Sequence, residues 1–361
     1  MHISSRLLVA LTLTSITVFG QKAEKLTFVK AEMLTMVGKM MPTKNIFRRI
    51  DTADFKNFSP IIKRLFTNSA GLAIAFSTDS KTIDAKWCNS NAKAGVNLTP
   101  IAQKGLDLYI KINGKWQFAG VGKPNAQCSK GTIVKNMKPG MKEFLLYLPL
   151  YDSIDSLEIG IEKNASIKPI ADPFGKRVLI YGSSILQGAG ASRAGIAYPA
   201  ILSRQTGLNF INMGLSGNGK MEKEVADLVA KIDAKAFILD CIPNPSPQEI
   251  KERTAYLVNT IRKYHPKAPI IVMQSLIREA GYVDTAIGAR NKAQNDEIAV
   301  QVEALLKAGV KDLYFIKGDN FLGADHDGTV DGTHPNDLGF NRMVEDIKPK
   351  ILTILKKYGI E

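Results

Sequence analysis

Two adjacent serines, Ser183 and Ser184, end the hydrophobic run in VLIYGSSILQGAG (residues 178–190). A serine hydroxyl attacks a carbonyl carbon only when a neighbouring base takes its proton. Beyond its first 20 residues the chain offers three histidines as that base, His265, His326 and His334. His265 closes a polar stretch beside Tyr264 and Pro266, and His326 sits in the acidic turn Ala324-Asp325-His326-Asp327-Gly328; both are expected at the surface. His334 differs, because Asp331 precedes it by three residues in Asp331-Gly332-Thr333-His334. A tight loop there can bring the carboxylate to one ring nitrogen. That contact fixes the tautomer and stabilises the imidazolium formed when the other nitrogen takes a serine proton. Acyl transfer also needs donors for the oxyanion. Gly217, in Gly214-Leu215-Ser216-Gly217-Asn218-Gly219, can bring a backbone N–H close, and the N–H of Ser184 is a second candidate. Asn244 can add a side-chain amide, although between Pro243 and Pro245 it could equally cap a helix starting near Ser246 or Pro247.

These residues are far apart, so a shared edge must collect them. From residue 172 onward, strand-like stretches (177–181, 209–213, 235–241, 269–274 and 312–316) alternate with helical periods (198–206, 221–232, 247–264, 285–308 and 337–357). Such alternation predicts a parallel sheet with helices on both faces, and these sheets bind ligands at the carboxyl ends of their strands. The serines, the Gly217 loop and Asn244 each follow a strand and should share that edge. The first half has a different period. Short β-rich stretches recur at 71–77, 82–87, 106–112, 143–150 and 156–161, with turn signals between them. Asn113-Gly114 between Ile112 and Lys115 is a strong hairpin signal. This pattern predicts an all-β sandwich. Asp172-Pro173 and Gly175 mark a linker, dividing the chain into 1–20, 21–171 and 172–361.

Residues 1–20 read as a secretory signal peptide: Arg6, an apolar run over 7–19, and a small residue, Gly20, before Gln21. The run is short for a bilayer span of ~20 residues. The mature protein is therefore expected to be secreted or periplasmic, with no integral membrane segment. Cys88 and Cys128 could pair in an exported protein or remain buried thiols, and no cysteine/histidine spacing suggests zinc. No metal or cofactor is called for. Residues 21–170 carry 23 Lys+Arg against 12 Asp+Glu, most of the overall +14. Such a surface can favour acidic glycans, or it can be solvated with no partner. The scattered placement and the expected export argue against nucleic acid. The glycines after residue 181 match neither dinucleotide nor P-loop spacing, and G-x-S-x-G is absent because residue 186 is leucine. Trp87 is expected in the core; Trp116, just after the Asn113-Gly114 turn, is either core or a ligand contact.

Taken together, Gly182-Ser183-Ser184-Ile185, Gly217 in its loop, Asn244 and Asp331-x-x-His334 resemble the four motifs of the SGNH (GDSL-type) hydrolases over roughly residues 176–357. Gly105-Leu106-Asp107-Leu108-Tyr109 is similar to the Gly-x-Asp-Leu-Tyr signature of the β-sandwich that precedes the catalytic domain in a bacterial branch of that family. The resemblance implies a flavodoxin-like α/β domain behind a jelly-roll-like sandwich. It also implies a Ser184–His334–Asp331 triad and an oxyanion hole formed by Ser184, Gly217 and Asn244. Ser183 stands where the family usually has aspartate, and the usual Gly-x-Asn-Asp block is replaced by Asp240-Cys241-Ile242-Pro243-Asn244. With the expected export and the preceding sandwich, the resemblance leads to the expectation of a secreted serine esterase. It would hydrolyse short-chain, above all acetyl, esters on carbohydrates through a Ser-His-Asp acyl-enzyme mechanism, its substrate a small-molecule or polysaccharide ester. The alternatives are a lipid or lysophospholipid esterase, or a glycan-binding protein with a hydrolase-like domain.

Overall fold

The computed structural model describes residues 26–90 and 92–361, so the signal-peptide expectation lies outside the described residues. The second half forms a five-stranded, wholly parallel sheet from Arg177–Gly182, Asn209–Gly214, Ala236–Asp240, Ile270–Met273 and Leu313–Ile316. The second strand lies outermost beside the first, and the third, fourth and fifth follow on its other side. The chain therefore reverses direction of progression at the first strand, which places its carboxyl end at a topological switch point. Every residue of the second and third strands is buried, as a parallel sheet covered on both faces requires.

Alternate residues along each strand serve different cores. Leu179, Phe237, Leu239 and Ile270 pack with Val225, Leu257 and Ile298 from the helices Lys223–Val229, Pro247–Tyr264 and Thr285–Lys307. Val178, Ile180, Ile238 and Ile271 pack with Tyr198 and Phe340 from Tyr198–Thr206 and Asp337–Lys356. The second core also takes in Ala75, Tyr109, Leu145 and Tyr147 of the first half, and the first core takes in Phe58, Ile62, Leu65 and Phe66. The two halves thus share their hydrophobic cores.

The first half contains two antiparallel sheets. One has four strands in the order Leu26–Lys30, Ile154–Glu162, Ile83–Asn89, Cys128–Val134. The other has six and includes Ala73–Thr78, Lys142–Tyr147, Leu106–Ile112 and Lys115–Gly122. Phe76, Trp87, Leu108, Phe144 and Ile159 fill the space between them, with Trp87 only 1% exposed. Asn113 and Gly114 close the hairpin at φ 50° and 76°, the positive pair a two-residue turn needs. Cys88 and Cys128 face each other across neighbouring strands and form a disulfide. Trp116 packs, partly buried, against the core shared with the α/β domain.

Two features of the first half and its junction add to the expected pattern. An amphipathic helix, Pro60–Thr67, capped by Ser59, interrupts the β-rich half and buries Ile62, Leu65 and Phe66 against the parallel sheet's helical layer. The 172–175 linker is also no loose tether. Asp172 accepts from the Phe174 N–H and the Asn209 side chain, and Gly175 donates to the Gly207 carbonyl.

Polar contacts reinforce the docking. Asp107, from the Gly-x-Asp-Leu-Tyr stretch, is fully buried and accepts from Arg193 at 3.0 Å and from the Gly195 N–H at 2.8 Å. The Tyr109 hydroxyl accepts from Arg193, and the Arg204 guanidinium lies 3.9 Å over the Tyr109 ring. On the other side Arg49, with no exposed surface, donates to the carbonyls of Leu65, Asn68, Asn212 and Gly214. Burial lowers its proton affinity to about 9, which leaves the guanidinium charged at neutral pH. Truncating it strands buried carbonyls in both halves. Arg49→Ala should cost about 3 kcal/mol or more of unfolding free energy, and Arg49→Lys should restore little, because an ammonium lacks the planar fork. Denaturant titration of the three proteins measures both outcomes.

Candidate active site

The first strand ends at Gly182, and a single helical turn, Ser184–Gln187, begins at once. Ser183 is the N-cap of that turn. Its hydroxyl accepts from the Ile185 N–H at 3.2 Å, and the residue is wholly buried. Ser184, the first helical residue, is 7% exposed and aims its Oγ at His334 Nε2, 2.9 Å away. The two neighbouring serines are thus separated by geometry: one satisfies a helix end, and the other meets the base.

His334 Nδ1 lies 2.7 Å from Asp331 Oδ2. With Ser184 donating to Nε2, Nδ1 carries the ring proton and donates to the carboxylate. Asp331 Oδ1 accepts from the backbone N–H groups of Thr333 and His334 at 3.1 and 2.8 Å, so the Asp-x-x-His loop closes on itself. Partial burial pushes the Asp331 carboxyl up, but hydrogen bonds from the His334 backbone and ring outweigh it and hold the group below its ordinary range. The carboxylate stays ionised beside the imidazole.

Glycines let these loops approach. Leu215 donates its N–H to the Gly182 carbonyl, and a Cβ on Gly219 would sit 2.2 Å from that same oxygen. Gly190, in the small-residue stretch after Ser184, has φ 89°, and a Cβ there would meet the Pro335 carbonyl oxygen at 2.3 Å. This close approach seats the His334 loop against the serine turn.

Gly217 has φ 68° with open space beside it. Among the described residues neither its N–H nor that of Ser184 finds an acceptor. Asn244 donates one amide hydrogen to the Asn218 carbonyl at 2.6 Å, which ties it to the Gly217 loop and leaves its second hydrogen free. It is not a helix cap: Ser246 caps Pro247–Tyr264 through a reciprocal capping box with Glu249.

Of the other histidines, His326 is exposed and lies against Tyr282. The surface expectation for His265 needs correction. It is half-buried, bonds the Ala230 carbonyl and packs on Phe237, because it ends a helix that lies on the sheet. Three contributors escaped the sequence reading. Gln187 accepts from the Ser216 N–H and donates to Asn68 and Leu150, fixing the Gly217 loop from below. Gly190 was visible as a glycine, but its neighbour Pro335 was not. Asn97 reaches Asp331 from the β-rich half with its amide 3.2 Å from Oδ2, a contact across 234 residues that leaves no local signal.

Asp240, at the end of the third strand, is buried and accepts from the Tyr198 hydroxyl at 2.7 Å. Burial pushes its carboxyl up to about 7, opposed by the Tyr198 hydrogen bond. The folded protein then holds a proton that the unfolded chain releases near pH ~4. The associated stability is full below that pH and is lost as pH rises through about 7. Thermal melts of Asp240→Asn should lack this decline. Gly190→Ala should displace the His334 loop and lower the turnover of an activated ester by about tenfold or more while the chain remains folded, as steady-state kinetics and circular dichroism would show.

Comparison with known proteins agrees with this geometry. Residues 175–352 match the GDSL-like lipase/acylhydrolase family, and residues 26–167 match the N-terminus of SGNH-hydrolase-type esterases. A Bacteroides ovatus crystal structure assigned to the GDSL-like lipases is 58% identical over 92% of this chain and 98% of its own, with a TM-score of 0.91. The fold also resembles a family two carbohydrate esterase from Clostridium thermocellum in complex with cellohexaose (13% identity, 81% of this chain and 94% of that one, TM-score 0.58). An acetyl xylan esterase from Butyrivibrio proteoclasticus is similar in fold too (11% identity, 93% and 99%, TM-score 0.55). Among curated proteins none matches. With a close relative along nearly its whole length and the family's motifs gathered at one sheet edge, the chain belongs to the GDSL-like lipase/acylhydrolase family and is a carboxylic ester hydrolase.

Proposed function

We propose that this protein is an exported serine esterase that removes short acyl groups, acetyl foremost, from carbohydrates. The observation that carries the chemistry is the unbroken chain Ser184 Oγ, His334 Nε2, His334 Nδ1, Asp331 Oδ2, with links of 2.9 and 2.7 Å. In this reading Ser184 Oγ attacks the ester carbonyl carbon while His334 Nε2 takes the hydroxyl proton. The carbonyl π pair moves onto oxygen, which the free N–H groups of Gly217 and Ser184 and the second Asn244 hydrogen receive. When the tetrahedral centre collapses, the C–O bond to the alcohol breaks and His334 returns the proton to the leaving oxygen. Water, deprotonated by the same imidazole, then attacks the acyl-serine, releasing the acid and restoring Ser184.

The substrate class rests on three supports. The leader-like residues 1–20 favour export, where polymeric glycans are met. The relatives by fold include a carbohydrate esterase and an acetyl xylan esterase. The basic excess over residues 21–170 would help recruit a polymer bearing carboxylates, an attraction that salt weakens. A lipid acyl ester is the competing reading. It is favoured by the exposed Val96 and Val330, which adjoin Asn97 and Asp331.

Ser184→Ala should stay folded and lose turnover by several orders of magnitude, whereas Ser183→Ala should lose stability more than turnover. Rates on p-nitrophenyl acetate and octanoate, with acetate release from acetylated xylan and pectin, address the acyl group and the alcohol. Faster octanoate cleavage with no acetate from any glycan would move the protein to the lipid-esterase class. Mass spectrometry of the protein from its native host checks for a mature chain beginning at Gln21.

A further inference from the structure

Asn97 belongs to the β-rich half, yet its side chain ends at the Asp–His pair. Its Nδ2 lies 3.2 Å from Asp331 Oδ2 and 3.1 Å from His334 Nδ1. Since Nδ1 carries a proton donated to Asp331, the Asn97 amide donates to the carboxylate, and its approach to the ring is contact alone. Asp331 Oδ2 therefore accepts two hydrogens, one from the imidazole and one from Asn97, while Oδ1 accepts two backbone N–H groups. Asn97 supplies the one donor in this set that comes from outside the 331–334 loop.

The loop that carries it, residues 92–99, is held along its length. Asp152 accepts from the Ala92 N–H, the Gln103 amide donates to the Lys93 carbonyl, and Gly95 donates to Gln103 Oε1. Thr99 caps the helix Pro100–Lys104 and donates its hydroxyl to the Ser192 carbonyl, 2.6 Å away in the α/β half. Val96 stands fully exposed while its neighbour Asn97 turns inward, so the loop spends its polar side chain on Asp331 and leaves the apolar one in solvent.

We propose that Asn97 is a positioning residue. By donating to Oδ2 it fixes the rotamer of Asp331, and through it the plane of His334, making the β-rich half a contributor to the esterase site. This rests on the Ser184–His334–Asp331 reading above. A group that acts only through Asp331 loses its value once Asp331 is gone.

The test is a double-mutant cycle on p-nitrophenyl acetate with Asn97→Ala, Asp331→Ala and the double variant, plus Asn97→Asp and Ser184→Ala. Asn97→Ala should lower kcat roughly tenfold, the value of one hydrogen bond to a charged group, with KM and melting temperature unchanged. Asn97→Asp, nearly isosteric, should be at least as impaired, since a second carboxylate replaces the donor. In the Asp331→Ala background the same Asn97→Ala change should alter kcat by less than about twofold. An equal loss in both backgrounds, a loss confined to KM, or no loss would overturn the positioning role while leaving the triad intact. Full activity in Ser184→Ala would instead overturn the triad reading and this proposal together.

Discussion

Arg49 has no solvent around it and, among the described residues, no carboxylate beside it. A charge in that position is tolerated only when its donors are met, and they are met by main-chain carbonyls from both halves of the molecule. Leu65 and Asn68 belong to the β-rich half; Asn212 and Gly214 lie at the carboxyl end of the second parallel strand, where the Gly217 loop departs. The guanidinium can be satisfied only if the two halves dock in this one register. Gly71, at φ 80°, permits the same docking sterically, because a Cβ there would stand 2.5 Å from the Asn212 side chain. A buried polar fork of this kind contributes specificity of docking more than net stability, while the shared apolar cores supply the driving force.

That docking has consequences at the sheet edge. Tyr151, from the β-rich half, donates its hydroxyl to the Ser184 carbonyl at 3.3 Å, and Gln187 is braced by Asn68 and Leu150. The serine turn is only one helical turn long and could not hold its own geometry, since short helices depend on tertiary contacts. Here the contacts come from both halves: Tyr151, Asn68 and Leu150 on one side, and on the other Asn212, whose amide donates to the Leu186 carbonyl, and Ser216, whose N–H donates to Gln187. The Asp107 clamp to Arg193 and Gly195 works the same way on the segment that follows the serine turn. The Gly-x-Asp-Leu-Tyr stretch is thus an attachment point for the α/β half, with Asp107 and Tyr109 facing Arg193 and Arg204.

The catalytic edge is assembled by close backbone approaches. Gly190 and Gly219 bring the His334 loop and the Gly217 loop within backbone contact of the serine turn, and Ser184 and His334, 150 residues apart, meet at 2.9 Å. Preorganisation of this sort lets donors and base be aimed before substrate arrives. At the third strand the buried Asp240 carboxyl accepts from Tyr198 and, among the described residues, makes no hydrogen bond to Ser184, His334 or Asp331, so the altered block around Asn244 keeps an acid outside the proton chain.

Much of this was legible in residue order. The strands 177–181 and 209–213 and the helices at 198–206 and 247–264 are short-range patterns of apolar spacing and caps, and they stand in the structure within a residue of where the spacing puts them. Asn113-Gly114 and Asp331-x-x-His334 are likewise local, since a turn and a three-residue loop leave the backbone few alternatives. By itself the sequence determined the β-rich half, the parallel sheet and the edge where chemistry could collect. It could not choose between Ser183 and Ser184 by composition, because the choice is between a capped N–H and an imidazole 150 residues away. The pairing of Cys88 with Cys128 and the inward turn of His265 depended on strand register and helix placement, and the strands Lys115–Gly122 and Cys128–Val134 carry little apolar alternation of their own because much of each faces solvent. Arg49, Asn97 and Gly190 take their meaning from Gly214, Asp331 and Pro335, partners more than a hundred residues distant. Such contacts leave no periodicity along the chain, so only the tertiary structure decided them.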